Sequence, residues 1–324
     1  MPELPEVETI RRGLNKGIVG KTIKKVIIKK PNLVKQTQAS FCRNLVNGKV
    51  TKTDRIGKLL IFTVARLQND TERTQMNAEV FLLIHLKMTG QLVYCNQNNF
   101  VAGGHANSKK EEEQFQSGKT EEFCQPGKYT HIIFELEDEQ RDPTSRLFFN
   151  DLRQFGTLKV VGEKELRGIK SKYGIEPGQP NFTFKNFQKA LGVDKNNERP
   201  RRANIKATLL NQSIISGLGN IYVDEALFAA KIHPQRTVDT ITEREQKLLF
   251  SAIKRIIKLA LKYNGTTFSD FIDSKGKKGN FKQMLKVYGR EGKKCKRPKC
   301  KGEIQKIKKV AGRGTRFCPR CQKK

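Results

Sequence analysis

Val7, Ile10, Leu14 and Ile18 recur at helical spacing near the start of the chain, and Pro5 with Glu6 and Glu8 suits a helix N-terminus. A leading helix is therefore expected. Short apolar or alternating runs follow at 22–29, 58–65, 79–86, 91–94, 129–136, 146–150 and 157–161. Short strands at irregular spacing, bounded by turn residues, read as a β-sandwich or barrel. Residues 96–127 interrupt them. They are polar and glycine-rich, carry Lys and Glu blocks, and read as a long, mobile loop inserted in the first domain.

After Val161 the period becomes helical. Segments 204–210 and 221–230 read as helices joined by Ser216-Gly217-Leu218-Gly219-Asn220. A longer helix is expected over 242–263, with Thr242 and Glu245 as a capping box. Leu249, Ile253, Ile256, Ile257 and Ala260 supply its buried face. The polar stretch 195–202 reads as a linker, and 264–280 as a loop rich in Gly and Lys. The expected fold class is α+β. A β-sandwich domain with its leading helix (1–162) precedes a helical domain (163–284) and a small C-terminal hairpin module (285–324).

Charge changes this picture from architecture to partner. Sixty-four Lys and Arg stand against 32 Asp and Glu, a net charge of +32. A surface this basic repels itself unless it meets a polyanion, and nucleic acid is the usual one. The stretch 286–324 holds 16 Lys/Arg and only two acids, Glu291 and Glu303. Glu111, Glu112, Glu113, Glu121 and Glu122 make the inserted loop a poor place to meet phosphate. No run of about 18 apolar residues predicts a membrane helix. The start lacks the basic and apolar regions of a signal peptide. A soluble, cytoplasmic monomer is expected.

Four of the seven cysteines form two short pairs, Cys295-x4-Cys300 and Cys318-x2-Cys321, 17 residues apart. That spacing can place four thiolates around one zinc ion; two disulfides or a redox site are the other readings. With all four positions filled by protein, the zinc would be structural, supplying the folding energy that so small a module lacks. The segments 304–309 and 315–317 can pair across Gly312-Arg313-Gly314. Arg313 there is either an exposed turn residue or a phosphate contact. Cys42, Cys95 and Cys124 are scattered, and an odd count argues against a disulfide framework.

Pro2 reads two ways. With Pro5 it punctuates a helix start, or, once Met1 is removed, its secondary amine becomes a nucleophile. An α-amino group titrates at about 8, so a useful fraction is neutral at physiological pH. Asn220 is a helix N-cap, part of an anion site, or both.

The chain resembles the formamidopyrimidine-DNA glycosylase family. The resemblance rests on the start Pro2-Glu3-Leu4-Pro5-Glu6-Val7-Glu8-Thr9, on Gly57-Lys58, and on His85-Leu86-Lys87-Met88-Thr89-Gly90. It continues through Asp151-Leu152-Arg153-Gln154-Phe155-Gly156, Gly217-Leu218-Gly219-Asn220-Ile221-Tyr222, and Tyr288-Gly289-Arg290 leading into the cysteines. It implies a helix–two-turn–helix domain and a C-terminal zinc finger with one structural zinc ion. It implies Pro2 as nucleophile, Glu3 as acid/base on the opening sugar, and Lys58 against the lesion's sugar and phosphate. Glu6 takes part in catalysis, orders the nucleophile, or caps the helix. Met88, Arg153 and Phe155 match residues that fill the space left by an extruded base. Lys128, His131, Lys206, Asn220 and Arg313 match DNA contacts, although His131 on a strand could equally be structural.

The loop 264–280 matches one that closes over the flipped base. The implied activity is a bifunctional glycosylase/AP lyase on double-stranded DNA containing oxidised bases, with oxidised purines favoured. A glycosylase for oxidised pyrimidines and a non-catalytic zinc-ribbon DNA-binding relative are the alternatives. Two features depart from the family pattern: the 96–127 insertion and the wide first cysteine pair.

Overall fold

The computed structural model describes residues 2–66, 78–96, 100–104, 124–137, 145–193, 202–266 and 281–324. They fall into two compact units, Met1–Lys170 with Asn264–Gly279, and Ser171–Tyr263 with Asn280–Lys324. The expected linker 195–202 lies outside the described residues except for Arg202. So do 267–280 of the expected lesion loop, and 97–99 and 105–123 of the insertion.

Helix α1 (Leu4–Ile18) opens the first unit and buries Leu4, Val7, Ile10, Leu14 and Ile18, the stripe its spacing predicts. Nine strands follow: β1 (Thr22–Ile28), β2 (Gly48–Ile56), β3 (Leu59–Arg66), β4 (Ala78–His85), β5 (Gly90–Cys95), β6 (Phe100–Gly104), β7 (Thr130–Glu137), β8 (Arg146–Asp151) and β9 (Thr157–Val161). They pair antiparallel in one sheet of order β6-β5-β8-β7-β1-β2-β3-β4-β9. The sheet folds over on itself. Leu147 of β8 and Leu82 of β4, far apart in that order, line one small apolar cavity with Phe62, Val64 and Phe134. The inner faces of both halves share a single core with α1, and the result is the expected sandwich.

Two strands escaped the sequence pattern for physical reasons. In β2 the buried positions run Gly48, Val50, Thr53, because a bulge between Val50 and Lys52 breaks the period of two. In β6 the glycines looked like loop. Gly103 instead lies so close to α1 that a Cβ there would meet Ile10 Cγ1 at 2.3 Å. Residues 100–104 are thus strand, not the loop expected across 96–127. The insertion is also tied at its base: Cys95 and Cys124 form a disulfide, S–S 2.31 Å. That corrects the reading of Cys95 and Cys124 as merely scattered, outside any disulfide. Their proximity comes from β5, β8 and β7 lying side by side, which sequence spacing does not report. A short helix, α2 (Gln38–Leu45), buries Phe41 and Leu45 after a Thr37 cap, and α3 (Glu163–Lys170) follows β9.

The second unit is helical. It holds α4 (Phe184–Leu191), α5 (Ile205–Leu210), α6 (Asn220–Ala230) and α7 (Glu243–Lys262). The Thr242–Glu245 capping box forms as expected. Helices α5 and α6 with the two turns between them are the helix–two-turn–helix. The terminal hairpin pairs β10 (Gln305–Val310) with β11 (Arg313–Phe317). Its turn is Ala311-Gly312, both at positive φ, one residue earlier than the expected Gly312-Arg313-Gly314. No helix among the described residues is long and apolar enough to cross a membrane.

Candidate functional site

In the first unit the start of α1 is buried. Pro2 is buried and Glu3 is 2% exposed. The Glu3 backbone N–H donates to Glu6 Oε2 at 2.9 Å. One turn on, Glu8 anchors α1 to β2, accepting from Arg55 at 2.8 Å, Arg12 at 2.7 Å and Arg11 at 2.9 Å. Burial pushes the Glu8 carboxyl up, but the three guanidinium groups outweigh it and hold it down at about 2. Lys58 sits in the two-residue turn between β2 and β3, yet is only 6% exposed. Gly57 takes the first turn position at φ 54°, which explains why glycine precedes the lysine.

His85, in the segment that leads to Met88, has a structural role. It pairs with Leu59 across β3–β4, next to Lys58, and its Nδ1 accepts the Lys87 N–H at 3.0 Å. Burial, with Lys87 and Lys58 adding like charge, pushes its imidazole down to about 3. The ring is therefore neutral at physiological pH and fixes the turn that carries Met88. Nothing in the sequence marked it beyond its place beside Met88.

Met88, Arg153 and Phe155 are organised by one buried acid, Asp151. Its Oδ1 accepts the Thr89 hydroxyl and the Arg153 N–H, and its Oδ2 accepts the Gly156 N–H at 2.7 Å. Thr89 Oγ1 also accepts the Arg153 N–H at 3.0 Å. The loop bearing Arg153 and Phe155 is thus tied to the turn bearing Met88. The Arg153 guanidinium lies 4.7 Å from the Phe155 ring centre, and Phe155 is 52% exposed, an aromatic ring without a core to fill. Lys128 is exposed. His131 is 3% exposed, and its Nε2 meets the Asp151 carbonyl at 2.7 Å. Of the two readings open for His131, this geometry suits a structural residue supporting the Asp151 loop.

In the second unit, α6 is the organising element. Gly219 is its N-cap, and Asn220 is the first helical residue rather than the cap. Asn220 Nδ2 donates to the Gly314 carbonyl at 3.0 Å, drawing the helix N-terminus and its dipole beside the hairpin strand that begins with the exposed Arg313. Two consecutive buried acids dock the rest. Asp224 accepts Lys206 Nζ at 2.6 Å and the Arg316 N–H at 2.9 Å, while Lys206 also donates to Thr315 Oγ1 at 2.7 Å. Burial pushes Asp224 up to about 6 against the pull of Lys206 and Arg316. Glu225 receives the backbone N–H groups of Lys286, Val287 and Tyr288 at 2.8–3.0 Å. Lys206 is fully buried in this pair. It is corrected from a DNA contact to the anchor of the hairpin on α6.

The four cysteines converge, with all four sulfurs within 4.8 Å of one another. Individual separations are 3.9 Å for Cys295–Cys321, 3.7 Å for Cys300–Cys318 and 3.4 Å for Cys300–Cys321. Four thiolates at about 2.3 Å from a tetrahedral zinc lie about 3.8 Å apart, so the cluster fits one zinc ion with no open position. This is a structural zinc site.

A proline-led helix on a β-sandwich, a helix–two-turn–helix and a four-cysteine zinc hairpin together define a zinc-bearing DNA-repair protein. Residues 1–158 match the formamidopyrimidine-DNA glycosylase N-terminal domain, 173–272 its H2TH domain, and 292–324 the zinc finger found in that enzyme and in isoleucyl-tRNA synthetase. The chain is 37% identical to the formamidopyrimidine-DNA glycosylase of Pelotomaculum thermopropionicum, over 100% of this chain and 99% of that one. Among solved structures it is similar to the Lactococcus lactis protein Fpg. A variant of that protein with Fapy-dG-containing DNA gives a TM-score of 0.77 at 32% identity. The wild type with DNA containing an oxidised pyrimidine gives 0.76 at 32% identity. Each covers 100% of both chains. The chain belongs to the formamidopyrimidine-DNA glycosylase family.

Proposed function

We propose that this chain is a bifunctional DNA glycosylase/AP lyase that removes oxidised bases from duplex DNA and then cuts the strand. The observation that carries the reading is the fixed start of α1, where buried Glu3 directly follows Pro2. Once Met1 is removed, the neutral Pro2 amine attacks the sugar C1′, the C1′–N bond to the damaged base breaks, and an iminium forms. Glu3, shielded from water, is suited to handle the proton of the opening sugar ring. The iminium acidifies the neighbouring carbon; loss of its proton expels the 3′ phosphate, and a second elimination releases the 5′ one. Lys58 lies against the sugar and phosphate. Met88, Arg153 and Phe155 occupy the gap left by the extruded base, which offsets part of its unstacking cost. Lys128, Asn220 and Arg313 contact phosphate.

Oxidised purines, 8-oxoguanine and formamidopyrimidines, are the favoured substrates. Oxidised pyrimidines are a second reading, supported by the Lactococcus structure on such a lesion. The protein acts as a cytoplasmic monomer. The test is borohydride trapping on duplexes containing 8-oxoguanine or thymine glycol, with removal of Met1 verified by intact mass. A covalent adduct on 8-oxoguanine DNA is expected. No adduct on either lesion from protein with a free Pro2 would leave the non-catalytic alternative standing.

A further inference from the structure

Helix α7 has two unlike faces. Gln246, Leu249, Ala252, Ile253, Ile257 and Ala260 are buried, and the helix packs on α6. At about 100° per residue, Arg244, Lys247, Lys254, Arg255, Lys258 and Lys262 fall together on the opposite side. All six are exposed. At a rise of 1.5 Å per residue they form a stripe about 27 Å long.

The charge of this stripe is not balanced along the helix. Its two acids, Glu243 and Glu245, sit in the first turn, which the macrodipole favours, and both are paired, Glu243 with Lys247 and Glu245 with Arg236. From Gln246 to Lys262 there are five cations and no acid. Lys258 stands four residues from both Lys254 and Lys262, and three from Arg255. Like charges at these spacings weaken a helix, whereas a face that only had to be solvated would interleave Glu with Lys. The stripe also lacks the anchors of a protein interface: Leu248, 50% exposed, is the one large apolar side chain that α7 exposes. Phosphate needs no such anchor. Duplex DNA carries one charge per about 1.7 Å of its axis, so a segment lying along the stripe would present about sixteen.

We propose that α7 is a second DNA-binding face, which takes the phosphate backbone of another duplex segment while Asn220 and Arg313 hold the first. Its cations point away from α6, whose N-terminus carries Asn220. The occupant is a further stretch of the same polymer, held at high local concentration once the first stretch is bound. Lys and Arg on phosphate fix position without reading sequence, so the second segment needs no lesion. The inference goes beyond the proposed function and uses none of its chemistry.

Protein saturated with a short unlabelled duplex carrying a tetrahydrofuran site is titrated with a labelled undamaged duplex, and anisotropy reports the second binding event. Contacts to about four phosphates should make that event about a hundredfold weaker at roughly 200 mM salt than at roughly 50 mM. Lys254→Gln, Arg255→Gln, Lys258→Gln and Lys262→Gln, combined, should abolish it. Affinity for the first duplex, and single-turnover excision of 8-oxoguanine from it, should stay at the wild-type level. Glutamine is a good helix former and removes like-charge repulsion, so the melting temperature should not fall. Lys254→Arg, Lys258→Arg and Lys262→Arg, combined, should keep the second duplex. No second complex with the wild type, an undiminished one with the Gln variant, or an equal loss of affinity for the first duplex would overturn the proposal. Displacement of the labelled duplex by polyglutamate or an RNA hairpin more readily than by undamaged duplex would also overturn it, giving the face to another partner. Failed borohydride trapping sinks only the proposed function, and a missing second complex sinks only this inference.

Discussion

The loop presenting Arg153 and Phe155 hangs from Asp151 over a sandwich core that runs continuously through α1 and both halves of the sheet. The hairpin presenting Arg313 has almost no core. Its apolar cluster is Phe228, Val287 and Ile304 with the cysteines themselves. What holds it are the four thiolates, the Lys206–Asp224–Thr315 contacts and the backbone amides gathered by Glu225. Where apolar area is plentiful, polar groups aim a loop or fasten a helix to a core that already exists. Where it is scarce, metal and buried charge become the fold.

Removing the metal should show the largest contrast. Zinc contributes on the order of 10 kcal/mol to modules of this kind. Chelation, or Cys318→Ser, should unfold residues 292–324 and cut duplex affinity while the sandwich amides stay protected in hydrogen exchange. Simultaneous loss of protection in β3 and β4 would erase the distinction.

Breaking the buried pair comes next. Lys206→Met strands the Asp224 carboxylate and should cost about 3–5 kcal/mol, measured by urea unfolding. Lys206→Met with Asp224→Leu should recover most of it. A loss under about 0.5 kcal/mol from the single change would mean that the pair is not the anchor.

Acid should act on the sandwich. The folded Glu8 value, about 2, lies below its ordinary 4.5, so its contribution is complete above pH 4.5 and is lost as pH falls towards 2. The loss amounts to about 3 kcal/mol, and Glu8→Gln should flatten the pH dependence of stability over that window. His85, pushed down to about 3, adds loss of the same sign below 6.5, since a neutral, half-buried imidazole must charge.

The smallest effect on stability should come from Arg313→Ala, within about 0.5 kcal/mol because the side chain is exposed. It should still weaken duplex binding and lower the salt slope by about 1. His131→Ala, by contrast, should destabilise the Asp151 loop without a matching change in that slope.

Much of this was legible beforehand, and the parts that were not share a cause. Helix α1, the Thr242–Glu245 cap and the four-cysteine cluster are local patterns, readable from spacing alone. Strand β2 was hidden by its bulge, and β6 by the glycines its approach to α1 requires. Lys206 was expected to contact DNA because nothing in a basic sequence distinguishes a buried cation from the exposed ones.

The sequence by itself determined the order of modules, the zinc cluster and the leading helix α1, because periodicity and metal spacing are properties of neighbouring residues. Tertiary structure alone decided the disulfide at Cys95 and Cys124, the burial of Lys206 against Asp224, and the hydrogen bonds from Thr266 to Glu6. Each depends on desolvation and on contacts between residues far apart in the chain, which exist only once the backbone has brought them together.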